Sequence, residues 1–151
     1  MNAIRMTLET LTDTAIDSAR GYELAAEKAV NPNLKSVFTT QAQRRRETVA
    51  TLNGEIVRLG GEPRDADGTA LGDLHRLWTR ITDSFSDSDK AAVDNVEEGE
   101  DYIKDKFSAA IDGGILKDDP AAQKVVQTAF AEIAEGERLS DMLEEQYEKA
   151  A

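Results

Sequence analysis

The chain has 151 residues, no cysteine and a formal net charge of -12 at pH 7. That length predicts one domain over residues 1–151 with room for a real core, and the missing thiols exclude disulfides and thiolate chemistry. A surface so acidic repels phosphate backbones and anionic lipid, which argues against nucleic acid and membrane as partners.

Charged residues make up 32% and aromatics 5%, with three prolines, a mix that favours helix over sheet. The first residues, MNAIRMTLETLTD, hold no apolar run, so a cytoplasmic protein without a leader is expected. In the first segment, about 2–30, Ile4, Leu8, Leu11, Ala15, Ala19, Tyr22, Ala26 and Ala29 recur at helical steps of three and four. Asn31-Pro32-Asn33 ends it. The second segment, about 34–59, carries Leu34, Phe38, Gln41, Arg45, Thr48, Leu52, Ile56 and Leu59 on one stripe, and Gly60-Gly61-Glu62-Pro63 stops it. A shorter amphipathic pattern follows over about 69–85, with Leu71, Leu74, Trp78, Ile81 and Phe85 on one face. The next segment, about 88–112, opens on the N-cap chemistry of Ser86-Asp87-Ser88-Asp89. Its stripe is Ala92, Val96, Glu100, Ile103 and Phe107, and Gly113-Gly114 ends it. The last, about 120–149, begins at a first-turn proline and presents Ala122, Val126, Ala129, Ile133, Gly136, Ser140, Leu143 and Tyr147.

Four of these helices are long, each about 40 Å at 1.5 Å per residue. The junctions near Pro32 and Gly114 are short, which predicts antiparallel neighbours; the middle connection can run back along the bundle. The expected class is all-α: a ferritin-like four-helix bundle, two antiparallel hairpins joined by a long crossover that carries the short extra helix.

Polar residues on the apolar stripes are the candidates for function. Of the acids in VEEGED (Val96 to Asp101), Glu100 lies roughly 30° from the stripe centre and Glu97 roughly 90° away, with Glu98 and Asp101 further out. Of Arg44, Arg45 and Arg46, only Arg45 is central. Both inward charges fall about three turns from the start of helices that run parallel, so they share a level. The expectation is a buried polar layer: an Arg45–Glu100 pair, hydrogen bonds completed by Tyr22 and Gln41, Ser140 beside it, and room left by Gly136. Buried charges are rarely left unpaired.

The same fold invites a di-iron or other divalent-metal site, which takes Glu and Glu-x-x-His ligands from the four helices. Acids abound, with Glu23, Glu97, Glu100, Glu132 and Glu137 the candidate ligands, and Glu97-x-x-Glu100 and Glu132-x-x-Glu135 keep the spacing. The one histidine, His75, sits on the crossover pattern instead. Arg45 also brings a fixed cation that cannot ligate. No metal or other cofactor is therefore expected, with the metal site as the alternative, and His75 reads as a packing or hydrogen-bonding residue. No nucleophile–base set and no phosphate loop can be assembled.

LGDLHRLW (Leu71 to Trp78), EEGED (Glu97 to Asp101), GYELAAE (Gly21 to Glu27) and LGGEP (Leu59 to Pro63) resemble, in order and over nearly the whole chain, a family of small bacterial proteins. That family is described as a domain of unknown function and placed in the ferritin-like superfamily. The resemblance implies a ferritin-like bundle and no established activity. Two departures stand out: Glu98 replaces the arginine of an ERGED pattern, and Ala134-Glu135-Gly136-Glu137-Arg138 stands where members often carry a histidine. The expected role is non-enzymatic, structural or interaction-based, in bacterial stress physiology, with an unidentified protein partner and a homodimer on base rates. The alternatives are a carboxylate metal-binding protein or oxidase and, from Gly136, Ser140 and the core alanines, a carrier of a small apolar ligand.

Overall fold

A computed structural model describes residues 2–65, 79, 83 and 88–150. The crossover pattern, with His75, Trp78 and Phe85, lies outside the described residues. Within them the chain is all-α, and no strand occurs. Helix α1 spans Asn2–Lys28, α2 Pro32–Arg58, α3 Asp89–Asp112 and α4 Pro120–Ala150, with a single 3₁₀ turn at Ile115–Asp118.

Local chemistry accounts for most of the helix limits. Asn31 caps α2, its side chain accepting from the backbone N–H groups of Asn33 and Leu34. Pro32 is thus the first helical residue of α2, two positions earlier than the apolar pattern suggests. A proline is tolerated there because its missing N–H would have had no helical partner. The Lys35 ammonium reaches back to the free carbonyls of Ala26 and Glu27 at the end of α1. At the far end of α2, Gly60 takes φ 85°, and the N–H groups of Gly60 and Gly61 return to the carbonyls of Val57 and Ile56. The Ser88 hydroxyl caps α3 through the Ala91 N–H.

Side-chain ties at the two ends of the bundle set the helix directions. The Asp89 carboxylate, first in α3, accepts from the N–H groups of Val30 and Asn31, between α1 and α2. At the opposite end Arg58, last in α2, donates to Asp119, just before α4. Helices α2 and α3 therefore start at the same end and run parallel, and the connection between them joins opposite ends. Helix α1 packs on α2 and α3, and α4 packs on α3 and α2. The sequence of ends and neighbours matches the expected pair of antiparallel hairpins.

The interior holds two apolar clusters. One contains Leu8, Ile16, Leu52, Ile56, Phe107 and Ile133 among others. The other is built around Tyr22, Phe38, Val93 and Val96. On α1 it is Ala25 rather than Ala26 that is buried, Ala26 lying at the border. A fixed three-four count drifts against the true helical period over seven turns.

Candidate functional site

Between the two apolar clusters lies a polar layer to which all four helices contribute. Arg45 of α2 is wholly buried and Glu100 of α3 is 2% exposed. Their contact is bidentate: Nη1 to Oε1 at 2.8 Å and Nη2 to Oε2 at 2.8 Å. Glu132 of α4 approaches the other edge of the guanidinium. It accepts from Nε at 2.9 Å and from Nη2 at 3.2 Å. The fifth donor, on Nη1, goes to the Ser18 hydroxyl of α1. A guanidinium has five N–H donors and no acceptor, so every donor is used. The Thr48 hydroxyl, one turn on in α2, donates to Glu132 Oε1 at 2.8 Å.

Charge and burial act in opposite senses on this arginine. Burial by itself would lower its pKa; the charge and hydrogen bonds of Glu100, then the charge of Glu132, outweigh that and hold it above the ordinary arginine range. One cation faces two carboxylates. Glu132 is the more exposed of the two, its side chain 20% exposed against 2% for Glu100. Glu132 opens into a cleft of about 370 Å³ between α2 and α4, lined also by Arg44, Thr51, Thr128 and Glu135.

Of the sequence-predicted layer, Arg45, Glu100, Tyr22, Gln41 and Ser140 are all buried. The hydrogen bonding differs from expectation. Ser18 and Glu132, not Tyr22 and Gln41, complete the guanidinium's set. Tyr22 contributes its ring face, 5.6 Å from the Arg45 carbon. Its hydroxyl is buried beside the Ser140 hydroxyl and the Glu100 carboxylate. Burial first, then the Glu100 charge, push the phenol well above the ordinary tyrosine range. Gly136 supplies the space. A Cβ there would stand 2.4 Å from Glu100 Oε2, 3.0 Å from Arg45 Nη2 and 3.1 Å from Gln41 Nε2. Ser18 was legible in principle, since it lies three residues after Ala15 and four before Tyr22 on the α1 stripe. Glu132 stands three after Ala129 and four before Gly136, at the border of its stripe, and only its length carries it inward.

The candidate metal ligands separate into three places. Glu100 and Glu132 hold Arg45. Glu23 is on the surface with Arg46, at 2.9 Å. Glu97 and Glu137 meet across the α3–α4 groove, together with Asp101 and Asp141. Carboxylate oxygens of Glu97, Asp101 and Glu137 lie within 4.8 Å of one another, as do those of Glu97, Asp141 and Glu144. Desolvation, then hydrogen bonds with Asp141 and Asp101, raise Glu97 to about 8. Glu137 is raised for the same reasons, opposed by Lys104 at 3.5 Å. The remaining acids of the VEEGED stretch, Glu98 and Asp101, are exposed.

No curated protein and no solved structure matches the chain. A family model does match, over α1 to α3 and short of α4, the helix that brings Glu132 and Gly136 to the layer. Through that match at residues 3–113, the chain belongs to the family described as Domain of unknown function (DUF2383).

Proposed function

We propose that this chain is a non-enzymatic ferritin-like helical bundle with a structural or protein-interaction role, its centre closed by an ion-pair network. The parallel α2 and α3 and the neighbour pattern support the ferritin-like arrangement. One observation carries the functional reading: all five donors of Arg45 are engaged by Glu100, Glu132 and Ser18. The inner carboxylates that a metal pair would need are thus taken by a group that stays protonated and cannot ligate. Among the described residues the layer has no imidazole; the chain's one histidine, His75, lies outside them. These residues do not fit a di-iron centre. The test is metal analysis of untagged protein grown in iron-rich medium. Substoichiometric metal is expected. About two iron or manganese atoms per chain, lost in Glu100→Ala, would overturn the proposal.

A second reading is favoured by the groove acids: a divalent-cation site at Glu97, Asp101 and Glu137. The closeness of their oxygens and the raised Glu97 support it, since a cation would offset the desolvation and the neighbouring carboxylates that raise Glu97. Calorimetric titration with magnesium, calcium and manganese on the intact protein tests it. Binding abolished in Glu97→Gln supports the reading, and no heat at millimolar metal removes it.

A further inference from the structure

Through Glu132 the buried layer reaches the surface, in the cleft of about 370 Å³ between α2 and α4. That volume lies within the range of small-molecule sites, about 300–1,000 Å³. Glu132 lines the cleft together with Thr48, which is 8% exposed, and the buried Ala129. Its carboxylate is held in place from behind by the wholly buried Arg45 and from the side by Thr48.

The hydrogen-bonding groups of the cleft are one-sided. The Thr48 hydroxyl commits its one proton to Glu132 Oε1 at 2.8 Å, and the Thr51 hydroxyl commits its proton to the Glu47 carbonyl at 3.2 Å. Each threonine oxygen then has only lone pairs to offer. Glu132 Oε1 accepts twice, from Arg45 Nε and Thr48, whereas Oε2 accepts once, from Arg45 Nη2, and has a lone pair over. The carboxylates of Glu47 and Glu135 add acceptors at the rim, and Arg44 is the one cation among the described residues that line the cleft. Charge points the same way. With Arg45 behind Glu132 and Glu100 beyond it, two cations face four carboxylates. Such a wall suits a ligand that is positively charged and only donates.

We propose that the α2–α4 cleft binds a primary aliphatic amine as its ammonium ion, which donates to Glu132 and to the threonine oxygens beside it. An ammonium on an alkyl chain has three N–H donors and no acceptor. Its chain would lie against Ala129. A divalent metal suits the place less, because the guanidinium already bonds both oxygens of Glu132. A free amine and the lysine of a partner protein offer the same group. The site goes beyond the structural or interaction role proposed above and shares no residue with the acids of the α3–α4 groove.

The experiment is calorimetric titration of the full chain with butylamine, with a short uncharged peptide carrying one lysine, and with tetramethylammonium, which has the charge but no N–H. Saturable heat is expected with the two amines and none with tetramethylammonium. Glu132→Gln keeps an oxygen for Arg45 but loses the charge, and should weaken binding about tenfold or more, the worth of one charge-assisted hydrogen bond. Thr51→Val, on the exposed wall and outside the layer, should weaken it while the urea midpoint stays in place, which separates the cleft from any effect on folding. Glu97→Gln should bind as the native protein does. Tighter binding of butylamine marks a free amine as the ligand, and tighter binding of the peptide marks a partner's lysine. No saturation by either amine at millimolar concentration overturns the proposal and leaves the cleft a solvated seam. So does tetramethylammonium binding as tightly as butylamine, unchanged affinity in both Glu132→Gln and Thr51→Val, or loss of binding in Glu97→Gln, which would move the amine to the groove acids.

Discussion

Replacing Arg45 by alanine removes the one cation from a layer that holds two carboxylates. Glu100, 2% exposed, is then charged with nothing to offset its desolvation. Glu132 loses its two bonds from Arg45 but keeps Thr48 and can turn toward the α2–α4 cleft. Summing five charge-assisted bonds at about 1.5–3 kcal/mol each would assign to one side chain as much as the whole stability of a domain. The better measure is the cost of breaking a buried pair by removing one partner, about 3–5 kcal/mol. A protein of this kind has about 5–15 kcal/mol in all, so Arg45→Ala should be near the limit of folding. Glu100→Ala should cost a similar amount. Glu132→Ala should cost less, about 1.5–3 kcal/mol, because Arg45 keeps Glu100 and Ser18. The pair Arg45→Met with Glu100→Leu should recover most of the loss, since only the partly exposed Glu132 is left without its cation. Urea unfolding followed by circular dichroism gives the free energies by linear extrapolation. The exposed Glu98→Ala serves as a control, expected within about 0.5 kcal/mol of the native protein. The reasoning fails if Arg45→Ala and Glu100→Ala each cost under about 1 kcal/mol and their effects add in the double variant.

Gly136→Ala should destabilise by about 1–3 kcal/mol despite alanine's better helix propensity, because the new methyl would stand 2.4 Å from Glu100 Oε2; an increase in the urea midpoint would contradict this. The groove acids make stability pH-dependent: Glu97 rises from 4.5 to about 8, so its bound proton is favoured in the folded state. That stabilisation is complete below about 4.5, the value free of the fold, and is lost as pH rises through about 8. Urea midpoints should therefore fall over this window, with Glu137 adding in the same sense, and should flatten in Glu97→Gln; parallel profiles for the two proteins would refute it. Asn31→Ala removes the acceptor for the N–H groups of Asn33 and Leu34 and should cost about 1 kcal/mol, read as a lower thermal midpoint.

Helix limits and inward faces were legible along the chain because covalent geometry fixes them within a few residues. The Asn31-Pro32 start, the Gly60 stop and the Ser88 cap are local chemistry, and 100° per residue suffices to aim Arg45 and Glu100 inward while leaving Glu98 outside. The shared level of those two charges followed from counting turns in parallel helices. Periodicity gives the direction of a side chain on its own helix. It does not give the distance to the next helix, and that distance decided the rest. The choice of Ser18 and Glu132 over Gln41 and Tyr22 as Arg45's partners depends on which atoms come within about 3 Å across helix boundaries. Glu132, a border residue by its phase, reaches the layer because α4 lies against α2 there. The gathering of Glu97 and Asp101 with Glu137 and Asp141 has the same origin: each pair reads as an ordinary acidic flank on its own helix, and only the packing of α3 on α4 turns two flanks into one groove in which desolvation and the facing acids raise Glu97.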